Sequence, residues 1–241
     1  MRSIITKFLI SLIAVPFAYT QQASDTFTGI TATSIDARSP DQGGNWTVHA
    51  PTGCSWVGTS ADRVRTNGTE CFAYNGTSIA ATQADTVACD KAAAAFSYCG
   101  LLLRADGSGH NGYVLYWDQF GGEFTMNKIV SGTRNSLSCT TTVTGFAAFD
   151  ILRFEASGTT TVSLNGYAYA AGGSPGAAQL TCSDSSSAYA SGTAGMFAYT
   201  GATYDMDSFL AYDDAGGGGG GSGALPAIIS GPRGGHHWTR R

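Results

Sequence analysis

Short strand-like runs separated by glycine turns recur along most of the chain, and this pattern constrains the fold more than any other feature. Residues 114–126 hold two aromatic-rich runs joined through Gly121-Gly122, which predicts a β-hairpin. Residues 150–156 alternate between apolar and polar positions, as a half-buried strand does. No long window has apolar residues at a 3.6-residue period. The chain therefore predicts an all-β sandwich or barrel.

Four Asn-Gly pairs provide further turn signals. Asn-Gly tolerates the positive φ angles of a type I′ turn. Asn165-Gly166 lies between Val162-Ser163-Leu164 and Tyr167-Ala168-Tyr169, so it gives the strongest hairpin prediction in the chain. The other candidates are Asn67-Gly68, Asn75-Gly76 and Asn111-Gly112.

The N-terminus has the pattern of a secretory signal. Arg2 and Lys7 accompany the apolar run Phe8 to Ala18, and small residues flank the expected cleavage point near Thr20. A spanning helix needs about 20 apolar residues, so this run is short for a membrane span. An uncleaved anchor or a buried helix is the alternative. We expect residues 1–20 to be removed and the mature chain to be extracellular, with no stable membrane span.

Six cysteines agree with export. They form no C-x-x-C pair, and no histidine has zinc-finger spacing, so three disulfides are expected. Six cysteines allow fifteen connectivities, and sequence does not select one. Pairing of neighbours is our working choice: Cys54–Cys71, Cys89–Cys99 and Cys139–Cys182.

Composition divides the rest of the chain into a folded body and a tail. Residues 21–214 are assigned to one sandwich domain, residues 215–223 to a glycine-rich flexible linker and residues 224–241 to a basic tail containing His, Trp and Arg. Residues 25–214 hold eight Lys/Arg and all seventeen Asp/Glu, a net charge of −9. An acidic body excludes nucleic acid as an expected partner, because phosphate binding needs a basic face.

Several stretches together resemble a known group of folds. They are Asp25-Thr26-Phe27, Arg38-Ser39-Pro40-Asp41, residues 101–117, residues 190–196 and residues 204–209. Their order resembles extracellular concanavalin-A-like, laminin-G-like jelly rolls of bacteria and their viruses, over about residues 25–212. The resemblance implies an antiparallel jelly-roll sandwich whose opening strand lies beside its closing strand. It does not select a function, since the group includes lectins, hydrolases and virion or adhesin parts.

Catalytic patterns are weak in this sequence. The glucanase branch of the group carries two glutamates on one strand, whereas Glu70, Glu123 and Glu155 are far apart here. Asp118 and Glu123 meet only if the Gly121-Gly122 hairpin forms. Residues 172–176 match G-x-S-x-G formally, but the strand-turn-helix context is missing. With only His49 and His110 in the body, we predict no enzymatic activity.

Two kinds of binding site are considered. Calcium suits carboxylate ligands, and Asp25 with Asp205 or Asp207 would converge if the terminal strands pair. Turn capping is the alternative for these aspartates. Sugars stack on aromatic rings, and the candidates are Trp46, Trp56, Tyr74, Tyr116, Trp117 and Phe120. Core packing is the alternative for each ring, and Tyr116 and Trp117 must face opposite sides of a strand.

Three N-glycosylation sequons, at Asn45, Asn67 and Asn75, matter only in a eukaryotic secretory pathway. Three functions remain open. The first is a non-catalytic recognition or adhesion module, with a glycan as the expected ligand. The second is a structural component of a surface layer, filament or virion, docked to a neighbouring protein subunit through residues 224–241. The third is a glycoside hydrolase with an unfamiliar site.

Overall fold

A computed structural model of the protein describes residues 19–49, 54–59, 62–66, 70–90, 97–108, 111–118, 121–142, 150–200 and 205–214. This part of the chain consists of β-strands and loops, with one short 3-10 helix at Ile35–Ala37. In chain order the strands are β1 (Tyr19–Asp25), β2 (Trp46–His49), β3 (Trp56–Gly58), β4 (Val64–Thr66), β5 (Cys71–Ile79), β6 (Gln83–Asp90), β7 (Ser97–Ala105), β8 (Gly112–Asp118), β9 (Glu123–Val130), β10 (Thr133–Thr142), β11 (Asp150–Ser157), β12 (Val162–Tyr169), β13 (Leu180–Asp184), β14 (Gly192–Thr200) and β15 (Asp205–Asp214).

The strands form two antiparallel sheets packed face to face. One sheet has eight strands in the order β13-β12-β11-β6-β15-β4-β3, with β1 also paired to β15. The other has seven strands in the order β10-β9-β8-β7-β14-β5-β2. The predicted fold class, an all-β antiparallel jelly-roll sandwich, is confirmed. Within the described residues, no helix is long and apolar enough to cross a lipid bilayer.

Alternate residues of each strand fill the space between the sheets. In β11, Leu152 and Phe154 belong to this core, as the sequence alternation predicts. In β8, Leu115 and Trp117 point into it from the opposite sheet. The Gly121-Gly122 turn joins β8 to β9, so that predicted hairpin is also confirmed.

The opening and closing strands lie side by side, as the resemblance implied. β1 pairs antiparallel with β15, and Asp25 is opposite Phe209. The carboxylate of Asp25 is fully buried and accepts hydrogen bonds from Trp46 Nε1 and the Phe27 amide, both at 2.8 Å. Arg38 forms an ion pair with it at 2.9 Å. Asp25 therefore ties the loop after β1 to β2.

Three disulfides join neighbouring cysteines along the chain, in the pairing chosen from the sequence: Cys54–Cys71, Cys89–Cys99 and Cys139–Cys182. Two of them connect the sheets, since Cys89 is on β6 and Cys99 on β7, while Cys139 is on β10 and Cys182 on β13. They hold the sandwich closed at its centre and at one edge.

Two of the predicted Asn-Gly turns are wrong. Asn165-Gly166 lies inside β12, and Asn75-Gly76 lies inside β5. At Gly166 the absence of a side chain serves packing rather than turn geometry. A methyl group there would lie 3.0 Å from both Leu115 Cδ1 and Met126 Cε of the opposite sheet. Asn111 directly precedes β8, which begins at Gly112, and Asn67-Gly68 lies outside the described residues.

Candidate functional site

The seven-stranded sheet carries a second apolar cluster on the surface turned away from the other sheet. Cys99 and Trp117 point into the inter-sheet core, so Tyr98 and Tyr116 next to them point outward. We call this side of the seven-stranded sheet the aromatic face. Its buried members are Phe72, Leu102, Val114, Tyr116, Ile129 and Phe197, and the partly exposed Tyr98 and Tyr199 pack against them.

Strand register arranges the side chains of this face in rows. Residues directly opposite each other on neighbouring strands share a side of the sheet. One row, near the ends of the strands, is Tyr199 on β14, Tyr98 on β7, Asp118 on β8 and Glu123 on β9. The adjacent row is Phe72, Phe197, Gly100, Tyr116 and Thr125. Aromatic rings thus lie next to a pair of carboxylates.

The rings contact one another closely. Tyr98 stacks on Tyr116 with ring centroids 4.9 Å apart and lies 5.0 Å from Tyr199. Tyr116 and Phe197 are 5.4 Å apart above Gly100. A methyl group at Gly100 would lie 2.8 Å from Tyr116 Cβ and 3.2 Å from Phe197 Cδ1. The glycine therefore gives the two rings room to meet across β7.

A guanidinium group lies among these rings. Arg134 Cζ is 5.3 Å from the Tyr116 centroid and 5.4 Å from that of Phe197. It is 5.8 Å from the centroids of both Tyr98 and Tyr199. These distances are within the range of cation–π attraction. Four rings thus surround one cation and restrict its orientation.

A carboxylate fixes the edge of this guanidinium. Arg134 Nε lies 2.6 Å from Glu70 Oε1, and the two side chains are 22% and 27% exposed. Glu70 directly precedes β5. Its φ of 56° lies in the left-handed region, which residues other than glycine rarely adopt. The pair presents a donor and an acceptor side by side, and both remain open to solvent.

Tyr98 and Tyr116 are neutral at physiological pH, because the pKa of each is raised. Burial raises the pKa of Tyr98 above its ordinary 10.0, and Asp118 raises it further, while Arg134 opposes both. Burial likewise raises the pKa of Tyr116, which Arg134 lowers in part. The Tyr116 hydroxyl donates to Asn127 Oδ1 at 3.1 Å. Both hydroxyl groups therefore keep their protons, and that of Tyr116 is engaged with Asn127.

The two carboxylates of the hairpin lie close together. Asp118 is directly opposite Glu123, and both approach Gly121. A methyl group on Gly121 would lie 3.0 Å from Glu123 Oε1 and 3.3 Å from Asp118 Oδ2. Asp118 Oδ1 accepts the Gly121 amide at 3.1 Å. The juxtaposition that the sequence suggested for this pair is therefore present.

Most of the aromatic residues chosen from the sequence are core residues. Trp56 is fully buried, and Trp46 and Trp117 are 2% and 4% exposed in the inter-sheet core. These three rings are not available to a ligand, because each points between the sheets. Tyr74 is 6% exposed, and its hydroxyl donates to the Gly107 carbonyl at 2.6 Å. Tyr116 belongs to the aromatic face; Phe120 lies outside the described residues.

The aspartates considered for calcium are engaged with cations and donors of the protein. Both oxygens of Asp25 accept protein N–H groups. Asp205 pairs with Arg65 at 2.6 Å and lies 4.0 Å from Arg63. Asp207 is on β15 opposite Ala88. No group of three or more His, Cys, Asp or Glu that could hold a metal occurs among the described residues. Calcium binding by these aspartates stays a prediction.

The remaining sequence candidates occupy ordinary structural positions. Residues 172–176 form a loop between β12 and β13, and a strand follows where a nucleophile elbow needs a helix. His49 lies on edge strand β2, 6.4 Å from the Phe72 ring. Asn45 is exposed just before β2, whereas Asn75 is fully buried. His110 and Asn67 lie outside the described residues.

Sequence reasoning missed the residues that define the aromatic face. Tyr98 and Tyr199 alternate with small core residues, which is a readable strand pattern. Arg134 lies in a polar run, and Glu70 follows the polar stretch Asn67-Gly68-Thr69 of the sequence, so neither position carries a local signal. Their meeting depends on the register of strands far apart in the chain.

Sequence comparison assigns no family to the chain, since no family model and no curated protein match it. Solved structures do match its fold. A protein of unknown function with a galectin-like fold from Bacillus subtilis aligns with a TM-score of 0.52 and 11% identity, over 81% of this chain and 98% of that one. The VIP36 exoplasmic/lumenal domain in its Ca²⁺/Man3GlcNAc-bound form aligns with a TM-score of 0.51 and 10% identity, over 80% of this chain and 89% of that one.

A LamA variant from Z. galactanivorans, in complex with laminaritriose and laminaritetraose, gives a TM-score of 0.51 and 9% identity, over 81% of this chain and all of that chain (100%). At such identities these matches show the fold alone. The chain therefore shares the jelly-roll sandwich fold of these proteins.

Proposed function

We propose that the protein is a non-catalytic extracellular module that binds a glycan on its aromatic face. Tyr98 and Tyr199 supply ring surface, and Arg134 with Glu70 supplies polar contacts. The observation that supports this most is the solvent-accessible Arg134–Glu70 pair held among four aromatic rings.

The chemistry of the face suits a sugar. A pyranose ring has apolar C–H faces and a rim of hydroxyl groups, each both a donor and an acceptor. Aromatic rings attract C–H groups through their negative faces. Arg134 can only donate hydrogen bonds and ionised Glu70 can only accept them, so together they satisfy a hydroxyl group in both directions. Binding sites of this kind combine apolar walls with a few placed polar groups.

Structural neighbours support a glycan ligand. The VIP36 domain and the LamA variant have this sandwich, and their structures contain Man3GlcNAc and laminari-oligosaccharides respectively. Three disulfides support an extracellular location, because such bonds persist in oxidising compartments. The suggested docking role of residues 224–241 falls outside the described residues and stays a prediction.

Glycoside hydrolysis is the second candidate, and one observation favours it: Asp118 and Glu123 lie side by side near Tyr98. Glycosidases use two carboxylates that flank the scissile bond. Here the pair lies beside a tight turn, and Asp118 Oδ1 accepts a backbone amide. Incubation with glycans that the protein binds, followed by chromatography, should detect no cleavage. Cleavage abolished by Asp118→Asn and Glu123→Gln would establish the hydrolase instead.

A broad glycan array tests the binding proposal directly. The wild-type protein should retain at least one glycan class at micromolar concentration, and Tyr98→Ala and Tyr199→Ala should each weaken that binding about tenfold or more. Tyr169→Ala is the matched control, because Tyr169 is a half-buried tyrosine on β12 of the other sheet. The proposal fails if no glycan binds, or if all three variants bind like the wild type.

A further inference from the structure

We propose that the aromatic face takes a neutral glycan of about three sugar units, laid across strands β14, β7, β8 and β9. This inference rests on the proposed glycan-binding function. It adds the length, direction and charge class of the ligand. The row Tyr199, Tyr98, Asp118 and Glu123 sets all three properties.

The length follows from strand spacing. Neighbouring strands lie about 4.8 Å apart, so a row across four strands extends about 14 Å. One pyranose unit in an extended chain advances by about one such spacing. Tyr199 and Tyr98, whose centroids are 5.0 Å apart, therefore offer ring surface to adjacent units. Asp118 and Glu123 continue the row by two more strands.

The two ends of the row differ in chemistry, which gives the bound chain a direction. Near Tyr199, Arg134 offers N–H donors while Glu70 holds its Nε. At the other end, Asp118 and Glu123 are acceptors only when ionised. The hairpin end therefore fits hydroxyl groups that donate hydrogen bonds, whereas the Arg134–Glu70 end fits a hydroxyl group that both donates and accepts them.

The charge of the face selects against acidic sugars. Among the residues that the structure describes, the charged groups of the face are Glu70, Asp118, Glu123 and Arg134, which is three carboxylates and one guanidinium. The guanidinium is already paired with Glu70. A uronate or sulfate group would approach the carboxylates of Asp118 and Glu123 along the row, and like charges brought into contact are strongly unfavourable. Neutral glycans avoid this repulsion.

Calorimetry with defined oligosaccharides tests the inference. The probes are glucose, xylose and mannose oligomers of one to five units, with trigalacturonic acid as the acidic comparator. For the series that binds, affinity should rise at least about tenfold from one unit to three and change less than about threefold beyond three. Trigalacturonic acid should bind at least about tenfold more weakly than the neutral trimer.

Variants at the two ends of the row test whether each end contributes to the affinity for the trimer. Tyr199→Ala and Glu123→Gln should each reduce the affinity for trimers about tenfold, and each should flatten the dependence on chain length. Equal affinity for one and three units, or tight binding of trigalacturonic acid, would overturn this inference and leave glycan binding intact. Absence of binding by every probe and by the array would overturn both.

Discussion

Arg134 Nε and Glu70 Oε1 are 2.6 Å apart, although 64 positions separate the residues in the sequence. The guanidinium of this pair lies over the rings of Tyr98, Tyr116, Phe197 and Tyr199. A partly exposed ion pair contributes little to stability, because solvent screens it. The pair therefore has a larger expected effect on recognition than on folding.

Glu70→Gln should separate these two effects. The free energy of unfolding should change by less than about 1 kcal/mol, since both side chains reach solvent. Affinity for the bound glycan should fall about tenfold, because the guanidinium loses its charged partner and its fixed orientation. Urea unfolding and calorimetry measure the two quantities. Arg134→Lys keeps the positive charge but not the planar fork, and should lose binding as well. Unchanged glycan binding in both variants would show that the Arg134–Glu70 pair does not take part in binding.

Asp85 makes stability depend on pH. It is fully buried in β6, and burial raises its pKa well above 3.8, while hydrogen bonding from Gln83 opposes the shift. The folded protein thus keeps this proton after the unfolded chain has released it. Its contribution to stability is complete below pH 3.8 and is lost as pH rises through the folded pKa.

Asp85→Asn should remove that dependence. The amide is neutral and retains an oxygen that can accept from Gln83. Relative to the wild type, the variant should gain up to about 1.4 kcal/mol per pH unit above the ordinary pKa of aspartate, until the folded pKa is reached. Urea unfolding between pH 4 and pH 8 measures this difference. A difference that does not vary with pH would show that Asp85 ionises normally.

The sequence predicted the layers of this fold better than its turns. Alternation in residues 150–156 and the Gly121-Gly122 hairpin are local signals, and both are confirmed. Asn165-Gly166 has the composition of a turn but lies in a strand, because close packing against Leu115 and Met126 needs a glycine there. Local propensity cannot distinguish those two uses of glycine.

The candidate site was predicted less well, for a physical reason. Tryptophan is the ring type most often associated with sugars, yet the buried Trp46 and Trp56 serve the core. Tyr98, Tyr199 and Arg134 form a site only because β7, β14 and β10 belong to the same sheet. That relationship is set by long-range pairing, which no local pattern in a single sequence encodes.

Lys128 and Asp184 form a buried ion pair that should be important for stability. Lys128 Nζ lies 2.7 Å from Asp184 Oδ2, and the Tyr113 hydroxyl donates to the same oxygen at 2.8 Å. Burial alone would raise the pKa of Asp184, but hydrogen bonds from Lys128, the Ser186 amide and Tyr113 lower it overall. The contribution of Asp184 is therefore present above pH 3.8 and lost as pH falls through the lowered pKa.

Lys128→Met should reduce the free energy of unfolding at pH 7 by about 3–5 kcal/mol, because it leaves a buried carboxylate without its cation. The deficit should shrink in acid, where Asp184 becomes protonated. Arg65→Met is the control, since Arg65 pairs with Asp205 but its side chain is 38% exposed. That variant should lose less than about 1 kcal/mol. Similar losses in the two variants would contradict a special role for the buried pair.

The Cys139–Cys182 disulfide should stabilise the protein by joining the edges of the two sheets. Its cysteines are 43 positions apart, on edge strands β10 and β13. A loop of this length, once closed, reduces the entropy of the unfolded chain by the equivalent of about 4 kcal/mol. Cys139→Ala with Cys182→Ala should lower the free energy of unfolding by roughly that amount. The single variant Cys182→Ala should lose nearly as much, and a loss below about 1 kcal/mol in the double variant would contradict the entropic account.

Asn45 and Asn75 should differ in glycosylation when the protein is produced in a eukaryotic secretory host. Asn45 is exposed beside edge strand β2, so a glycan there extends into solvent. Asn75 is fully buried, and its Oδ1 accepts the Gly44 and Thr77 amides at 3.1 Å each. A glycan is attached through Nδ2, which is buried, so Asn75 would have to leave its position and β2 would be displaced from β5.

Glycopeptide mass spectrometry of the secreted, folded protein should therefore find Asn45 occupied and Asn75 bare. Asn45→Gln should remove one glycan without loss of secretion, since its side chain is exposed. Asn75→Asp is the matched variant and should leave the glycan number unchanged, because its carboxylate can still accept the two amides. Glycan on Asn75 in folded protein would show that the β2–β5 pairing at this position is open.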